Sequence, residues 1–341
     1  MRRWIFRRSC IFLLLLTAIY FYFTPALAHV PIFGGEGKSP ETTIPIENPA
    51  KSRVFYGQLA PGDFRYYSFE MKQGERIALG LIVPVEQGRQ GFTPDLILMG
   101  PGLTNEGKIP EKAEVPEGYG VKVFPGELPE SPVYEAFSPS AFYSLAKADL
   151  EAPKSGKYYA VAGSAQGKGN YGIVIGYKEI FTLKEWVSVP LSQIKLYRWE
   201  GQSLFSIFAP LGITLTAGLM ALFIKREVVA GFNPARISGF LAGFFFLGTA
   251  LSFAFQMLIS LNKSSYSPEI FITIFLILAS LGLGAIALIL SLMDEEYGSR
   301  SVKKRLCFFF LGIAGLILWA GWFAGPLLTF EAAVLPWKRK K

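Results

Sequence analysis

Four long apolar stretches fill the C-terminal third of the chain, and none of them contains Asp, Glu, Lys, Arg or His. Each has about 20 residues, the number that an α-helix needs, at about 1.5 Å per residue, to cross a hydrocarbon layer of about 30 Å. The stretches are residues 204–224, 237–261, 270–293 and 306–325. The sequence therefore predicts an all-α transmembrane bundle of about four helices over residues 204–326.

The lack of charge in these stretches limits what the bundle can do. Proton relays, ion pathways and substrate counter-charges need ionisable groups within the membrane, and Gln256 is the only strongly polar side chain in a predicted span. A transporter or an intramembrane enzyme is therefore disfavoured. Glycine pairs permit close packing within one bundle or between two copies. These glycines are Gly239, Gly243, Gly282, Gly284, Gly321 and Gly325.

The N-terminal residues carry the three-part pattern of a secretory signal. Four arginines accompany an apolar run over 10–23, and Ala26-Leu27-Ala28 forms an A-x-A cleavage site. Residues 1–28 are predicted to be a signal peptide and residues 29–203 to be extracytoplasmic; an uncleaved signal anchor is the alternative. The two cysteines, Cys10 and Cys307, lie outside the exported domain, and a secreted domain without disulfides fits a prokaryotic envelope.

Loop charge orients the predicted spans. The loop 225–236 carries three basic residues and the loop 294–305 carries four, whereas 262–269 has one. The two basic loops are therefore predicted to be cytoplasmic in a multi-pass cell-membrane protein. Four spans leave the basic tail, 327–341, outside. We favour this arrangement, with an amphipathic tail, over a re-entrant hairpin at Gly325-Pro326 that returns the tail to the cytoplasm.

The middle of the chain is predicted to form short β-strands. Residues 29–50 are rich in Gly, Pro and Thr and are predicted to be an extended lead-in. Strands rich in aromatic and β-branched residues follow, separated by turns such as Pro61-Gly62-Asp63. They are predicted at 53–59, 64–70, 76–83, 95–99, 121–124, 157–162 and 171–177. Such a series favours an antiparallel β-sandwich over residues 51–178.

Parts of this domain resemble the bacterial pre-peptidase C-terminal (PPC) domain. The resemblance is carried by YGQLAPGDFRYYSF at 56–69, GERIAL at 74–79 and DLIL at 95–98, and it returns as GKYYAV at 156–161 and GNYGIV at 169–174. Members of that family are jelly-roll-like β-sandwiches appended to secreted proteins, where they assist folding, secretion or attachment to polymers and surfaces. The resemblance implies an exported, jelly-roll-like, all-β domain. The chain differs from the family by a long insertion, and no peptidase precedes the domain in this sequence.

The insertion spans residues 101–139 and contains seven prolines and seven glutamates. Its composition does not suit a regular core, but its aromatic side chains argue against free disorder. One hypothesis is a cover that buries a face of the sandwich. The other is a binding surface for a sugar or a peptide, because long loops on rigid sheets often carry recognition. Its candidate ligand-contacting residues are Tyr119, Phe124, Tyr134 and Phe137.

Residues typical of enzymes are scarce. A Ser-His-Asp or Cys-His site would need His29, the only histidine, or Cys307, at the edge of a predicted span. Asp63 and Asp95 could form a carboxylate pair or bind calcium, but both lie in or beside turns, where Asp is common. No catalytic residue and no cofactor is therefore predicted. His29, the first residue after the signal, is a candidate copper ligand without a second histidine.

Residues 179–203 are predicted to be a juxtamembrane helical stalk. Thr182 and Glu185 have the spacing of a capping box, and apolar residues recur at helical intervals up to an interruption near Pro190. Tyr197 and Trp199 are predicted to lie at the membrane interface, where amphipathic rings are favoured. The segment is either a plain support or a stalk that transmits domain motion.

Together these features favour a non-enzymatic, membrane-anchored extracytoplasmic binding or interaction protein of the cell envelope. Its predicted partners are the lipid bilayer and another membrane protein, an extracellular polymer or a peptide. The basic residues outside the signal lie partly in cytoplasmic loops and the tail, so no nucleic acid is expected. The alternatives are an accessory or sensor subunit of a membrane complex and, less favoured, a transporter or a carboxylate-based hydrolase.

Overall fold

The computed structural model describes residues 29–35, 37–164, 167–224, 233–293 and 299–337, the last range with side chains from residue 302. The predicted signal peptide and residues 338–341 of the predicted tail lie outside the described residues, as do most of 225–236 and part of 294–305. Within the described part, two mixed β-sheets are followed by helices, three of which are long and apolar enough to span a membrane.

The described residues form eleven strands in two sheets. The strands are β1 Val30–Phe33, β2 Ile44–Pro45, β3 Arg53–Leu59, β4 Phe64–Met71, β5 Arg76–Pro84, β6 Asp95–Gly100, β7 Gly120–Phe124, β8 Val133–Glu135, β9 Ser140–Glu151, β10 Gly156–Gly163 and β11 Gly169–Ile175. The six-stranded sheet has the order β1-β3-β11-β5-β9-β8, and the five-stranded sheet has the order β2-β4-β10-β6-β7. Two edge pairs, β1 with β3 and β2 with β4, are parallel, and the other pairs are antiparallel.

The two sheets face each other across a hydrophobic core. Strand alternation directs one set of side chains inward, and Leu81, Leu98 and Ile173 are completely buried there. The hydroxyls of Tyr67 on β4 and Tyr171 on β11 hydrogen-bond at 2.7 Å and so join the two sheets inside the core. A buried hydroxyl without a partner costs about 1–3 kcal/mol. The hydrogen bond between Tyr67 and Tyr171 therefore favours the one relative position of the two sheets in which it can form.

The strand predictions hold except at the edges of the domain. The seven strands predicted between residues 53 and 177 are present with nearly the predicted bounds. The extended lead-in predicted over 29–50 contains β1 and β2, which join the edges of the two sheets. Their parallel pairing makes the sandwich mixed rather than purely antiparallel. The sequence pattern does not predict β9, whose alanine, lysine and acidic residues have little intrinsic strand preference. Its pairing with β5 holds it in the sheet.

The first half of the insertion covers the outer face of the five-stranded sheet. Ile109, Ala113 and Tyr119 pack against an apolar layer on that face. The backbone N–H of Glu114 donates to the hydroxyl of Tyr66 at 2.8 Å, which fastens the loop to the sheet. This half of the insertion therefore matches the hypothesis of a cover.

Seven helices occur in the described residues. They are α1 Val85–Arg89, α2 Leu183–Trp199, α3 Leu204–Ile224, α4 Pro234–Leu261, α5 Ile270–Leu292, α6 Ser299–Ile317 and α7 Ala324–Val334. The three long apolar helices are α3, α4 and α5, which correspond to the first three predicted spans. Helix α2 runs without interruption through Pro190, and Thr182 and Glu185 form the capping box at its start.

The fourth predicted span, 306–325, is wrong as a single helix. Helix α6 ends within it, and α7 begins after a turn in which Trp319, Trp322 and Phe323 have positive φ. Pro326 gives the physical reason, because in a continuous helix its ring would clash with the carbonyl four residues earlier and its nitrogen could not donate to it. In the first turn of a new helix proline is tolerated, because the backbone nitrogens there have no carbonyl of the same helix to donate to.

Helices α6 and α7 form an antiparallel hairpin. Arg305, near the start of α6, donates from Nε to the carbonyl of Ala333 at 2.6 Å and from Nη2 to the carbonyl of Val334. The rings of Phe308 and Trp337 stack with their centroids 5.4 Å apart. Trp337 therefore lies beside the start of α6, the arrangement that the re-entrant alternative predicts.

Glycines let α4 and α5 approach each other closely. A Cβ atom built on Gly243 would lie 3.1 Å from the carbonyl oxygen of Gly284, and one built on Gly284 would lie 3.0 Å from the carbonyl oxygen of Gly243. Of the other glycines predicted to pack helices, Gly239 lies on α4, Gly325 on α7 and Gly321 in the hairpin turn, each against a phenylalanine ring. Small residues thus permit backbone-to-backbone contact.

Replacing Gly243 by alanine should push α4 away from α5. The new Cβ would lie 2.6 Å from Leu288 Cγ, and overpacking of this kind costs about 1–3 kcal/mol. The matched control is Gly212→Ala on α3, where nothing lies within 4 Å of a Cβ and alanine favours the helix by about 1 kcal/mol. Thermal unfolding in detergent should show a lower Tm for Gly243→Ala alone, and equal Tm values would contradict the close approach.

Candidate functional site

Helix α2 lies against the outer face of the six-stranded sheet. Its Leu196 and Trp199 side chains pack with Val54 and Ile82 of that sheet. The indole Nε1 of Trp199 donates to the carbonyl of Tyr171 at 3.0 Å. The helix is therefore fastened to the sandwich along its C-terminal half rather than standing free as a stalk.

The two aromatic residues predicted at the membrane interface are both buried by protein. Trp199 is 7% exposed and Tyr197 is 4% exposed. Trp199 also meets the ring of Tyr56 on β3 edge-on, at 5.0 Å between centroids. Neither ring is open to lipid headgroups, because the sandwich covers Trp199 and Tyr197 lies among residues of α2, α3 and α4.

A tryptophan in the α6–α7 turn joins the helices to α2. Trp319 donates from Nε1 to the carbonyl of Trp186 at 3.0 Å, and the two indole rings lie 4.5 Å apart. Phe137, from the second half of the insertion, meets Trp319 edge-on at 6.2 Å. The positive φ of Trp319 places its ring at the point where α2, the insertion and the hairpin meet.

Residues 133–140, here called the junction segment, are the end of the insertion and the first residue of β9, and they lie on the helices. The hydroxyls of Tyr134 and Thr273, on α5, are 2.7 Å apart, and Thr273 Oγ1 donates to the carbonyl of Ala136 at 2.7 Å. Gln193 on α2 donates from Nε2 to the carbonyl of Phe137 at 3.3 Å. These bonds tie the junction segment to α2 and α5 at once.

The polar residues after α2 complete the junction. Gln202 and Gln256 exchange two side-chain hydrogen bonds, of 2.8 and 2.9 Å. Glu200 Oε1 accepts from the backbone N–H of Ala141 at 2.9 Å. Gln256, the one strongly polar residue of the predicted spans, thus has a structural partner in the segment that links α2 to α3.

A groove of about 600 Å³ lies between the six-stranded sheet, α2, the junction segment and the start of α5. We call it the junction groove. Its apolar wall includes Ile82, Phe142, Val174, Leu196 and Trp319. Small-molecule sites in proteins have volumes of about 300–1,000 Å³ and mostly apolar walls with a few polar groups. The junction groove therefore has the size and character of a site for a small ligand.

Three glutamates give the junction groove an acidic side. Glu135, Glu179 and Glu269 come from the junction segment, the turn before α2 and the residue before α5. Burial raises the pKa of Glu135 to about 7, and the carboxylates of Glu179 and Glu269 add to this rise. The backbone N–H of Phe137 donates to Glu135 at 3.2 Å.

A serine hydroxyl faces the same space without a partner. Ser140 is 1% exposed, lines the junction groove, and its Oγ has no hydrogen-bond partner among the described residues. Along β9 the side chains of Ala141 and Tyr143 enter the sandwich core, so those of Ser140, Phe142 and Ser144 lie on the opposite, groove-facing side. The hydroxyl therefore offers one donor and one acceptor to an occupant of the groove.

The four aromatic residues predicted to bind a ligand are dispersed. Tyr134 and Phe137 are buried in the junction segment and line the junction groove. Tyr119 packs beside Tyr159 on the five-stranded sheet, 5.7 Å between centroids, and Phe124 packs against the sandwich core. The sequence pattern does not single out Ser140, Glu179 or Glu269, because they lie far apart in the chain and no local motif marks them.

The residues considered for metal binding or catalysis have local partners. His29 Nδ1 lies 2.5 Å from Ser52 Oγ, and burial lowers the pKa of its ring to about 4. Asp63 bonds Arg65 at 3.0 Å, and Asp95 accepts from the N–H of Gly126 at 3.0 Å. In the part of the chain that the structure describes, no group of three or more His, Cys, Asp or Glu side chains could hold a metal ion.

The solved structures similar to this chain include two periplasmic lysozyme inhibitors. No protein-family model and no curated protein sequence matches the chain. A periplasmic inhibitor of g-type lysozyme, PliG from Aeromonas hydrophila, is 14% identical, with a TM-score of 0.25, and the match covers 43% of this chain and 99% of PliG. PliG from Salmonella Typhimurium is 18% identical, with a TM-score of 0.21, over 40% of this chain and 98% of that protein. Values this low assign neither an activity nor a partner.

Replacing Thr273 by valine should loosen the junction segment. The change leaves the Tyr134 hydroxyl and the Ala136 carbonyl without their bonds to Thr273, and a buried unpaired group costs about 1–3 kcal/mol. Hydrogen exchange in the backbone of residues 133–138 should become about tenfold faster or more. Thr214→Val is the control, because Thr214 Oγ1 bonds only carbonyls of its own helix, α3. Equal exchange in both variants would contradict the proposed fastening.

Replacing Glu200 by glutamine should change how stability depends on pH. Burial raises the pKa of Glu200 to about 7, so the folded state holds a proton that the unfolded state releases above about pH 4.5. The free energy of unfolding therefore falls between about pH 4.5 and pH 7 and then levels off. Glutamine avoids this loss and can still accept from Ala141.

The expected gain in the free energy of unfolding for Glu200→Gln is small at about pH 5 and reaches its full size, on the order of 2–3 kcal/mol, above about pH 7. Thermal unfolding measured across this range checks it. Glu117→Gln, at an exposed position of the insertion, is the control. A gain that is the same at every pH would show that the carboxylate does not titrate with folding.

Proposed function

We propose that the chain is a non-enzymatic, membrane-anchored binding protein of the cell envelope whose ligand occupies the junction groove. The observation that carries this proposal is the groove itself, about 600 Å³ in volume, between the sandwich and the helices. Sites between structural units commonly hold ligands, because two surfaces can enclose them. The junction groove supplies apolar walls for contact and a few polar groups for orientation.

The proposal places the sandwich on the extracytoplasmic side. Three described helices are long and apolar enough to cross a membrane. The signal-like residues 1–28 and the basic loops 225–236 and 294–305 support export of the sandwich. The groove, at the helix end next to the sandwich, would then face the extracytoplasmic membrane surface.

We also propose that the sandwich is related to PPC domains. The matching stretches contribute β3, β4, β5, β6, β10 and β11, which form the centre of both sheets. Tyr67 and Tyr171, whose hydroxyls join the two sheets, lie within those stretches. The relationship concerns the fold, since these residues build the core and do not face the junction groove as a set.

An accessory or sensor subunit is the second candidate, and the fastening of the junction favours it. The junction segment, which lines the groove, bonds α5 through Thr273, and α2 bonds the hairpin turn through Trp319. An occupant that displaced the junction segment would therefore move groups attached to membrane helices. A signal of this kind would need a membrane partner, because the loops between helices are too short for a catalytic domain.

Cysteine labelling tests both the side and the occupancy of the junction groove. In a background with Cys10→Ser and Cys307→Ser, Ser144→Cys should react with a membrane-impermeant maleimide added to intact cells. Val302→Cys, exposed on α6, is the control and should react only after permeabilisation. In lipid nanodiscs, the neutral probe 4-phenylbutanol should slow labelling of Ser144→Cys by about tenfold at saturation. Labelling unaffected by any probe that fits the groove would refute a ligand site there.

A further inference from the structure

We propose that the junction groove selects a small organic cation: a primary ammonium or guanidinium group carried on an apolar body. The inference rests on the proposed function and names the chemical class of its ligand. Glu135, Glu179 and Glu269 provide the acidic side of the groove, Ser140 an unpartnered hydroxyl, and the sheet and α2 an apolar wall.

Two carboxylates that line the groove, Glu135 and Glu269, take part in no salt bridge among the described residues. Arg76 and Asp149 line it too, but their side chains pair with each other at 2.7 Å. Lys147 is the remaining groove-lining cation among the described residues, and it makes no described salt bridge with Glu135 or Glu269.

Burial raises the pKa of Glu135, and the two neighbouring carboxylates raise it further, because both disfavour the ionised form of its side chain. A bound cation would reverse this effect, because an opposite charge within about 4–6 Å favours the ionised carboxylate. Hydrogen bonds between ionised partners are about twice as strong as neutral ones. The head group is thereby specified as a cation that donates hydrogen bonds.

The unpartnered hydroxyl of Ser140 adds a second specification. Ser140 and Glu135 are directly paired between β9 and β8, so the two residues are neighbours across one strand pair. A buried hydroxyl without a partner destabilises the structure that contains it. A ligand polar group that meets both the Ser140 hydroxyl and a carboxylate oxygen would remove that destabilisation, as an ammonium with three donors can do.

The apolar wall and the groove volume specify the body of the ligand. Ile82, Phe142, Val174 and Leu196 lie on the sheet and on α2, beside the acidic side. The volume of about 600 Å³ suits a small molecule, and it is too small for a folded partner. An amphipathic amine matches both surfaces at once.

A matched pair of probes tests the inference in full-length protein reconstituted in lipid nanodiscs. 4-Phenylbutylamine and 4-phenylbutanol have the same body and differ in the charged head. At about pH 8, above the pKa of Glu135, the amine should protect Ser144→Cys from maleimide at a concentration about tenfold lower than the alcohol. Protein-free nanodiscs correct for partition of each probe into lipid.

In the Ser144→Cys protein, a second change, Glu135→Gln or Glu269→Gln, should remove most of this preference, measured as the ratio of the alcohol and amine concentrations that give half protection. Ser140→Ala should also reduce the preference for the amine, because the amine then loses a hydrogen-bond partner in the groove. Glu70→Gln, at an exposed position of β4 outside the groove, is the matched control and should keep the full preference.

The outcomes separate the inference from the proposed function. Equal protection by amine and alcohol, or a preference that survives loss of the glutamates, overturns the cation inference and leaves the groove as a ligand site. Failure of both probes to protect Ser144→Cys overturns the inference and counts equally against the ligand site.

Discussion

The outer face of the six-stranded sheet carries an apolar patch around Val54 and Ile82, and burying this patch fixes the position of α2 on the sandwich. Val54 and Ile82 would be exposed if α2 stood away from the sheet, and burial of apolar surface stabilises by about 25 cal/mol per Å². Trp199 contributes both apolar packing and a hydrogen bond to this contact, because its ring packs on the sheet while its indole N–H donates to the carbonyl of Tyr171. Once α2 is fixed there, the sandwich rests on the helices, with no free linker between them.

The junction groove follows from this arrangement. Helix α2 covers part of the sheet, the junction segment covers another part, and the space left between them is bounded below by the helices. The contacts that enclose the groove are the ones that hold the two halves together, through Thr273 and Trp319. A recognition role for the groove and a coupling role for the junction are therefore compatible, since one set of side chains serves both.

Strands and long helices were predictable because their signals are local. Aromatic and β-branched runs between turns mark β3 to β6, and uncharged apolar stretches mark α3 to α5. β9 was not predicted, and a hairpin at Gly325-Pro326 was only the less favoured alternative to a single fourth span, for different reasons. The residues of β9 have a weak intrinsic preference for strand, and β9 depends on its pairing with β5. Pro326 does indicate a helix break, but the continuous apolar run over 306–325 favoured a single helix.

The sequence by itself determined the division into a β domain and an apolar helical domain, since composition and periodicity require no distant contact. Only the tertiary structure decided that α2 lies on the sheet, that the insertion divides into a cover and a junction segment, and that Glu135, Ser140 and Glu269 share one groove. The physical reason is separation along the chain. Glu135 and Glu269 are far apart in the sequence and meet only when the packing of whole elements brings them together, and no local pattern encodes that contact.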